Sequence, residues 1–313
     1  MGCFGEVGLA EGCAAPEVVE YAMKFPSFAY VRPASVEDAI RHLAEGDGEA
    51  RVIAGGQSLL PMMAFRLVRP TVLVDIGGIE ALKAIVVEGD VISVGALVRW
   101  CDIERSPALS QFLPILPAAM AHVAHYQIRN RGTIGGSLAH CDPAAEMPAL
   151  AIVCDAEIVI AGPSGERVVP ASEVLCEPLA AAIEPDEMIV AVRFPRWSRP
   201  RRWGLSEISR RKGDFAMAGI ALHYEALGAR MCDVHVAVFG AAEIQQRLPR
   251  VEGVLEGQVV DAGLIARASD ALAESIEPPE DIHATAGYRR ALAKVMFERA
   301  LHQSMAACVN EAG

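Results

Sequence analysis

Two short segments, each built on adjacent glycines followed by serine, constrain this chain more than any other feature. The first, residues 54–61, reads AGGQSLLP and follows directly on the apolar run RVIA at 51–54. The second, residues 131–140, reads RGTIGGSLAH. Without a Cβ, successive amide N–H groups can turn toward one point and approach an anion closely. Ser58, Thr133 and Ser137 set hydroxyls beside those amides. One such segment is an ordinary turn. Two of them, read as glycine loops from separate strands, are placed to hold both phosphates of a pyrophosphate without a lysine. Neither matches GxGxxG or ends in Gly-Lys-Ser/Thr, so a Rossmann site and a P-loop are excluded.

The pattern around these segments alternates short apolar runs with turns and amphipathic stretches. Ser35 and Asp38 start a helix in capping-box fashion that ends near Gly46. Runs at 51–54 and 70–75 read as buried strands, and 85–87 with 91–94 flank a hairpin turn at 88–90. A helix is expected over 115–126, leading into the second glycine segment, and a second hairpin over 157–169. A strand over 188–194 is stopped by Pro195. Beyond it, strands are expected at 219–225 and 233–239, then helices over 262–274 and 286–305.

At 313 residues the chain exceeds what one hydrophobic core usually serves, so two domains are expected. The Arg- and Pro-rich stretch 195–200 marks the boundary, with one domain over 23–199 and a smaller one over 200–313. Residues 1–22 are acidic and lack the basic and apolar regions of a signal peptide. They read either as a disordered extension or as sequence preceding a true start at Met23. Net charge is −12 and the densest basic run, 196–202, reads as a solvated linker and strand edge, which argues against a nucleic-acid partner. The eight cysteines show no CxxC spacing and read as free thiols of a cytoplasmic protein. No apolar run is long enough for a membrane span.

Residues 51–67, RVIAGGQSLLPMMAFRL, with Pro70 and the LVDI run 73–76, resemble the first FAD signature of the medium subunit of molybdenum hydroxylases. This is the carbon monoxide dehydrogenase and xanthine dehydrogenase family. Residues 129–140, continuing through Asp142 and Pro143 to Glu146, resemble its second signature. Arg210, Arg211 and the GDF run 213–215 resemble a third segment. The likeness runs from about Met23 onward.

That resemblance implies an α+β chain: a two-part FAD-binding domain of the PCMH type, then a smaller α+β domain of antiparallel sheet and helices. It implies that Ala54, Gly55, Gly56, Gln57, Ser58 and Leu59, with Thr133, Gly135, Gly136 and Ser137, hold the FAD pyrophosphate and ribityl chain. It places Glu146, with Asp142 as a second candidate, on the adenosine ribose, Ile189 at the adenine and Phe215 near the isoalloxazine ring. It implies no catalytic or metal-ligating residue on this chain. The molybdenum cofactor would sit on a large partner subunit and two [2Fe-2S] clusters on a small one, in a dimer of heterotrimers. Electrons would pass from the clusters to FAD and on to an external acceptor.

The residues themselves leave other readings open. Cys141 reads as a packed thiol, and His122, His125 and His140 lack the three or four converging ligands of a metal site. No nucleophile motif is present. A stand-alone PCMH-type flavin oxidoreductase would need its own flavin-attachment residue or acid–base set. A non-enzymatic nucleotide-binding module would bind no flavin.

Overall fold

The computed structural model describes residues 25–306. The reading of residues 1–22 falls outside them. Three sheets follow one another along the chain. β1 (Ala29–Val31), β2 (Ala50–Ile53) and β3 (Val72–Asp75) form a parallel sheet in the order β1-β3-β2. The crossover between β1 and β2 is α1 (Val36–Glu45), whose N-cap Ser35 accepts from the Asp38 amide as the sequence predicts. α2 (Leu59–Ala64) follows β2, so the first glycine segment is the strand-to-helix turn.

The second sheet is antiparallel and takes five strands in the order β4-β5-β8-β6-β7. They are β4 (Ile85–Glu88), β5 (Val91–Gly95), β6 (Glu157–Gly162), β7 (Gly165–Pro170) and β8 (Met188–Pro195). Both expected hairpins are present, β4–β5 and β6–β7. Between β5 and β6 the chain makes six short helices: α3 (Trp100–Glu104), α4 (Pro107–Phe112), α5 (Ile115–Ala119), α6 (Tyr126–Arg129), α7 (Ile134–His140) and α8 (Glu146–Val153). They bury Ile103, Leu109, Ile115, Leu116, Ile134, Leu138 and Leu150 against Ile92, Val94, Ile158, Val192 and Phe194 of the sheet. A further turn of helix, α9 (Ala171–Val174), follows β7.

The expected helix over 115–126 is not continuous. It runs only from Ile115 to Ala119. Pro117 brings no amide to it, and the amides of Met120, Ala121 and His122 reach back only three residues. Ala124 then takes a positive φ of 42°, and Arg129 Nη1 donates to the carbonyls of Val123 and Ala124. His122 and His125 therefore sit on different pieces of chain.

The third sheet, order β12-β11-β10-β9, is antiparallel: β9 (Arg201–Ile208), β10 (Ala218–Leu227), β11 (Arg230–Phe239) and β12 (Gln246–Arg247). The basic stretch read as linker and strand edge enters β9 at Arg201. Arg201 is neutralised by Glu225 on the adjacent β10 and by Asp233 on β11 beyond it, which the linear sequence hides. α10 (Pro249–Leu255), α11 (Ala262–Ser275) and α12 (Ala286–Ala306) cover one face of this sheet with Leu264, Leu272, Met296, Phe297 and Leu301. The other face meets α8: Arg247 pairs with Asp155, and His223 and His235 both contact the Val153 carbonyl. At Gly204 the backbone of α12 comes so close that a Cβ would lie 1.9 Å from the Ala300 carbonyl oxygen.

Candidate cofactor site

The two glycine segments touch. A Cβ on Gly55 would lie 2.1 Å from the Arg131 carbonyl oxygen and 3.0 Å from Gly132 Cα, so glycine is what allows the backbones to meet. Arg131 Nε also points at the Gly55 carbonyl at 3.5 Å. Segments from the parallel sheet and from the helices over the antiparallel sheet therefore form one surface.

They differ in what they offer. Gly56 has φ +72°, the left-handed region that glycine occupies freely. Gln57 folds back, its Nε2 donating to the Gly55 carbonyl at 3.2 Å. Among the described residues, the amides of residues 55–59 donate to no backbone or side-chain acceptor. This turn, at the start of α2, is a cluster of free donors suited to an anion. The Ser58 hydroxyl makes no cap bond and is equally available.

The second segment is not a loop. Thr133 is the N-cap of α7, its hydroxyl accepting from the Gly136 amide at 3.2 Å, and Gly135, Gly136 and Ser137 lie in the first two turns of the helix. The amides of Ile134 and Gly135 are already bound to the carbonyls of Val98 and Ala96. A threonine cap makes helix start and glycine loop look alike in sequence. Gly135 is there for packing, since its Cβ would lie 2.6 Å from that of Ala96. Gly136 is exposed, and only Thr133 Oγ1, at 3.0 Å, borders its missing Cβ. What α7 presents is an exposed position without a side chain at Gly136, following directly on the Arg131–Gly132 stretch that meets Gly55.

Cys141 ends α7 with φ +50° and is buried, its Sγ accepting from Gln245 Nε2. It is a packed thiol, and burial pushes it up from its ordinary value. Asp142 then makes a local turn, its Oδ1 accepting from the Ala144 amide at 2.8 Å, and Glu146 opens α8. Burial pushes the Glu146 carboxyl up to about 8, and the negative charge of Glu207 on β9 adds to this. Glu207 is itself almost sealed, with 6% of its side chain exposed. Its Oε1 lies 3.5 Å from His122 Nδ1, and that contact raises the His122 imidazole. Its Oε2 is buried and has no partner among the described residues.

The remaining expected residues lie apart from this cluster. Ile189 is on β8, 5% exposed, packed in the core beneath α7. Phe215 is 66% exposed in the β9–β10 connection. That connection rests on the chain before α6, because a Cβ on Gly213 would lie 2.6 Å from the His125 ring. Glu207 was not legible as a site residue, since nothing in the residues beside it marks an acidic side chain there as one that will be buried.

The free amides meet the second glycine segment through Gly55, and the carboxyl and imidazole groups of Glu146, Glu207 and His122 meet where the helices over the second sheet face β9 of the third. Residues 26–197 match the family of the FAD binding domain in molybdopterin dehydrogenase. Residues 203–304 match the CO dehydrogenase flavoprotein C-terminal domain. This chain belongs to the FAD-binding medium subunits of the molybdenum hydroxylases.

Similar members of that family extend over nearly the whole chain. The nicotine 6-hydroxylase medium subunit of Paenarthrobacter nicotinovorans is 39% identical over 279 residues, covering 89% of this chain and 98% of its own. The carbon monoxide dehydrogenase medium chain of Hydrogenophaga pseudoflava is 35% identical, covering 90% and 99%. Among solved structures, the carbon monoxide dehydrogenase of Hydrogenophaga pseudoflava superposes with a TM-score of 0.88 at 35% identity, covering 90% of this chain and 99% of that one. Quinoline 2-oxidoreductase from Pseudomonas putida 86 gives 0.86 at 39%, covering 91% and 99%. The expected fold and the assignment to an oxidoreductase subunit are borne out. The medium subunits are parts of multi-subunit complexes. Among the described residues no helix is long and apolar enough to cross a membrane.

Proposed function

We propose that this chain holds FAD as the electron-relaying subunit of a molybdenum hydroxylase. It would receive electrons from [2Fe-2S] clusters on a small subunit and deliver them to an external acceptor. Substrate oxidation would take place at molybdenum on a large subunit, the three forming a dimer of heterotrimers. The observation that carries the reading is the run of free amides over residues 55–59, joined through Gly55 to Arg131 and Gly132 just before α7. The residues present fit the cofactor. The free amides suit a pyrophosphate, the open face at Gly136 admits close approach, and the orphaned acceptor Glu207 Oε2 suits a hydroxyl donor.

In this reading Ala54 to Leu59 hold the pyrophosphate, Ser58 adding its hydroxyl, while Thr133, Gly135, Gly136 and Ser137 shape the surface beside it. Asp142 and Glu146 face the adenosine ribose, Ile189 closes the floor beneath the adenine, and Phe215 lies toward the isoalloxazine. When bound, FAD supplies the redox chemistry, and the protein positions it and sets its surroundings. We further infer a division at residues 199 and 200 and a cytoplasmic location. The second is supported by five thiols that form no disulfide among the described residues.

The test is the visible spectrum of the protein purified from its host with its co-purifying subunits. Flavin and iron–sulfur absorbance with one larger and one smaller partner is the expected result. A single flavin-containing polypeptide that oxidises an organic substrate unaided would overturn the relay reading.

A further inference from the structure

The Glu207 side chain is a buried acceptor in need of a donor. One oxygen faces His122, and the other has no partner among the described residues although its side chain is only 6% exposed. Its neighbour across the cluster is another carboxyl, Glu146 on the first turn of α8. The negative charge of Glu207 disfavours ionisation of Glu146, and His122 faces only one oxygen of Glu207. A buried polar group left unpaired is a cost that a native structure normally removes with a partner. The arrangement is complete only when a group bearing two donors enters.

We propose that Glu207 is a binding residue for the adenosine end of FAD. Glu207 Oε2 and the Glu146 carboxyl accept from the two ribose hydroxyls, while His122 fixes the second Glu207 oxygen. The assignment rests on the reading of this site as an FAD site. A vicinal diol offers two O–H donors on adjacent carbons, which matches two acceptors. An adenine edge sets ring-nitrogen acceptors beside its amine, and these would face carboxylate oxygens. The pyrophosphate meanwhile has its own donors in the amides of residues 55–59.

The experiment is a titration of the full-length protein, freed of flavin, with FAD and with the FAD analogue lacking the adenosine 2′-hydroxyl. It is run on wild type and on Glu207→Gln and read by flavin fluorescence. Wild type should bind the analogue roughly tenfold or more weakly than FAD, because a hydrogen bond to a charged acceptor is lost. Glu207→Gln should bind FAD weakly by a similar factor and barely distinguish the two ligands. Equal binding of both ligands by wild type overturns the proposal without any variant. Losses that simply add in Glu207→Gln also overturn it, because independent groups give additive effects. A wild type that takes up no FAD at all would instead refute the cofactor reading, and this assignment with it.

Discussion

His223 on β10 and His235 on β11 stack with ring centroids 4.5 Å apart, and both reach the carbonyl of Val153 at the end of α8. Arginine only donates, so the bond between Arg201 Nη1 and His223 Nδ1 fixes the His223 tautomer. Its Nε2 carries the proton and donates to Val153 at 2.8 Å. His235 faces acceptors on both nitrogens, Asp155 and the Val153 carbonyl at Nδ1 and Asp233 at Nε2. The pair joins the third sheet to the helices of the second.

Burial, then the neighbouring His235 and Arg201, holds His223 well below the ordinary imidazole value. The unfolded chain therefore takes up the proton first, and this residue lowers stability as the pH falls below about 6.5. The loss is at most about 1.4 kcal/mol per pH unit. His223→Gln should be less stable than wild type at pH 7.5 and should close that gap by pH 5.5. Thermal midpoints of both proteins at the two pH values check this, and parallel shifts would count against it.

Glu146 behaves in the opposite sense. Its folded-state value of about 8 lies above the ordinary 4.5, so the fold favours its protonated form. The stability it contributes is complete below about 4.5 and is lost as the pH rises through about 8. In flavin-free protein, Glu146→Gln should be more stable than wild type at pH 9, by on the order of a few kcal/mol. That advantage should vanish near pH 5. Urea unfolding at the two pH values gives the comparison.

The glycines of the candidate site should separate by role. Gly55→Ala forces a Cβ onto the Arg131 carbonyl and should cost roughly 1–3 kcal/mol, with loss of flavin as a consequence. Gly136→Ala lies in the first turn of a helix on an exposed face. Its stability should match or exceed wild type by up to about 1 kcal/mol, while its flavin content falls. Thermal midpoint and the ratio of flavin to protein absorbance, measured together, decide it. A Gly136→Ala protein carrying full flavin would remove α7 from the site.

Gly204 tests the third sheet alone. Its Cβ would meet the Ala300 carbonyl at 1.9 Å, so Gly204→Ala must lift α12 from β9. A destabilisation of at least about 2 kcal/mol is expected, read as a lower urea midpoint. An unchanged midpoint would show that α12 can slide.

Much of this architecture was visible in the sequence wherever the signal was local. Ser35 and Asp261 cap the helices they precede, each accepting an amide three residues on. The two hairpins and the long C-terminal helices follow their apolar spacing. The reading failed where distant residues decide. Ala124 turns left-handed where Arg129 gathers its carbonyl, which ended a helix that composition alone would continue. Arg201 finds its partners at a distance in sequence, Glu225 on the adjacent β10 and Asp233 on β11 beyond it. Glu207 stayed out of sight, since an acidic residue with no local pattern around it gives no sign that it will be buried. The glycines were legible as a pair, but nothing in them tells a loop from a helix start when a threonine stands before them.

The contact between Gly55 and the Arg131 carbonyl carries a consequence for substitution. Segments 76 residues apart are held as one piece, so neither can lengthen, bulge or exchange a side chain at that point while the other stays as it is. Transplanting the first motif into a foreign scaffold would bring a turn and no pocket. A change on either side of this contact must be matched on the other for the turn and the helix start to keep meeting.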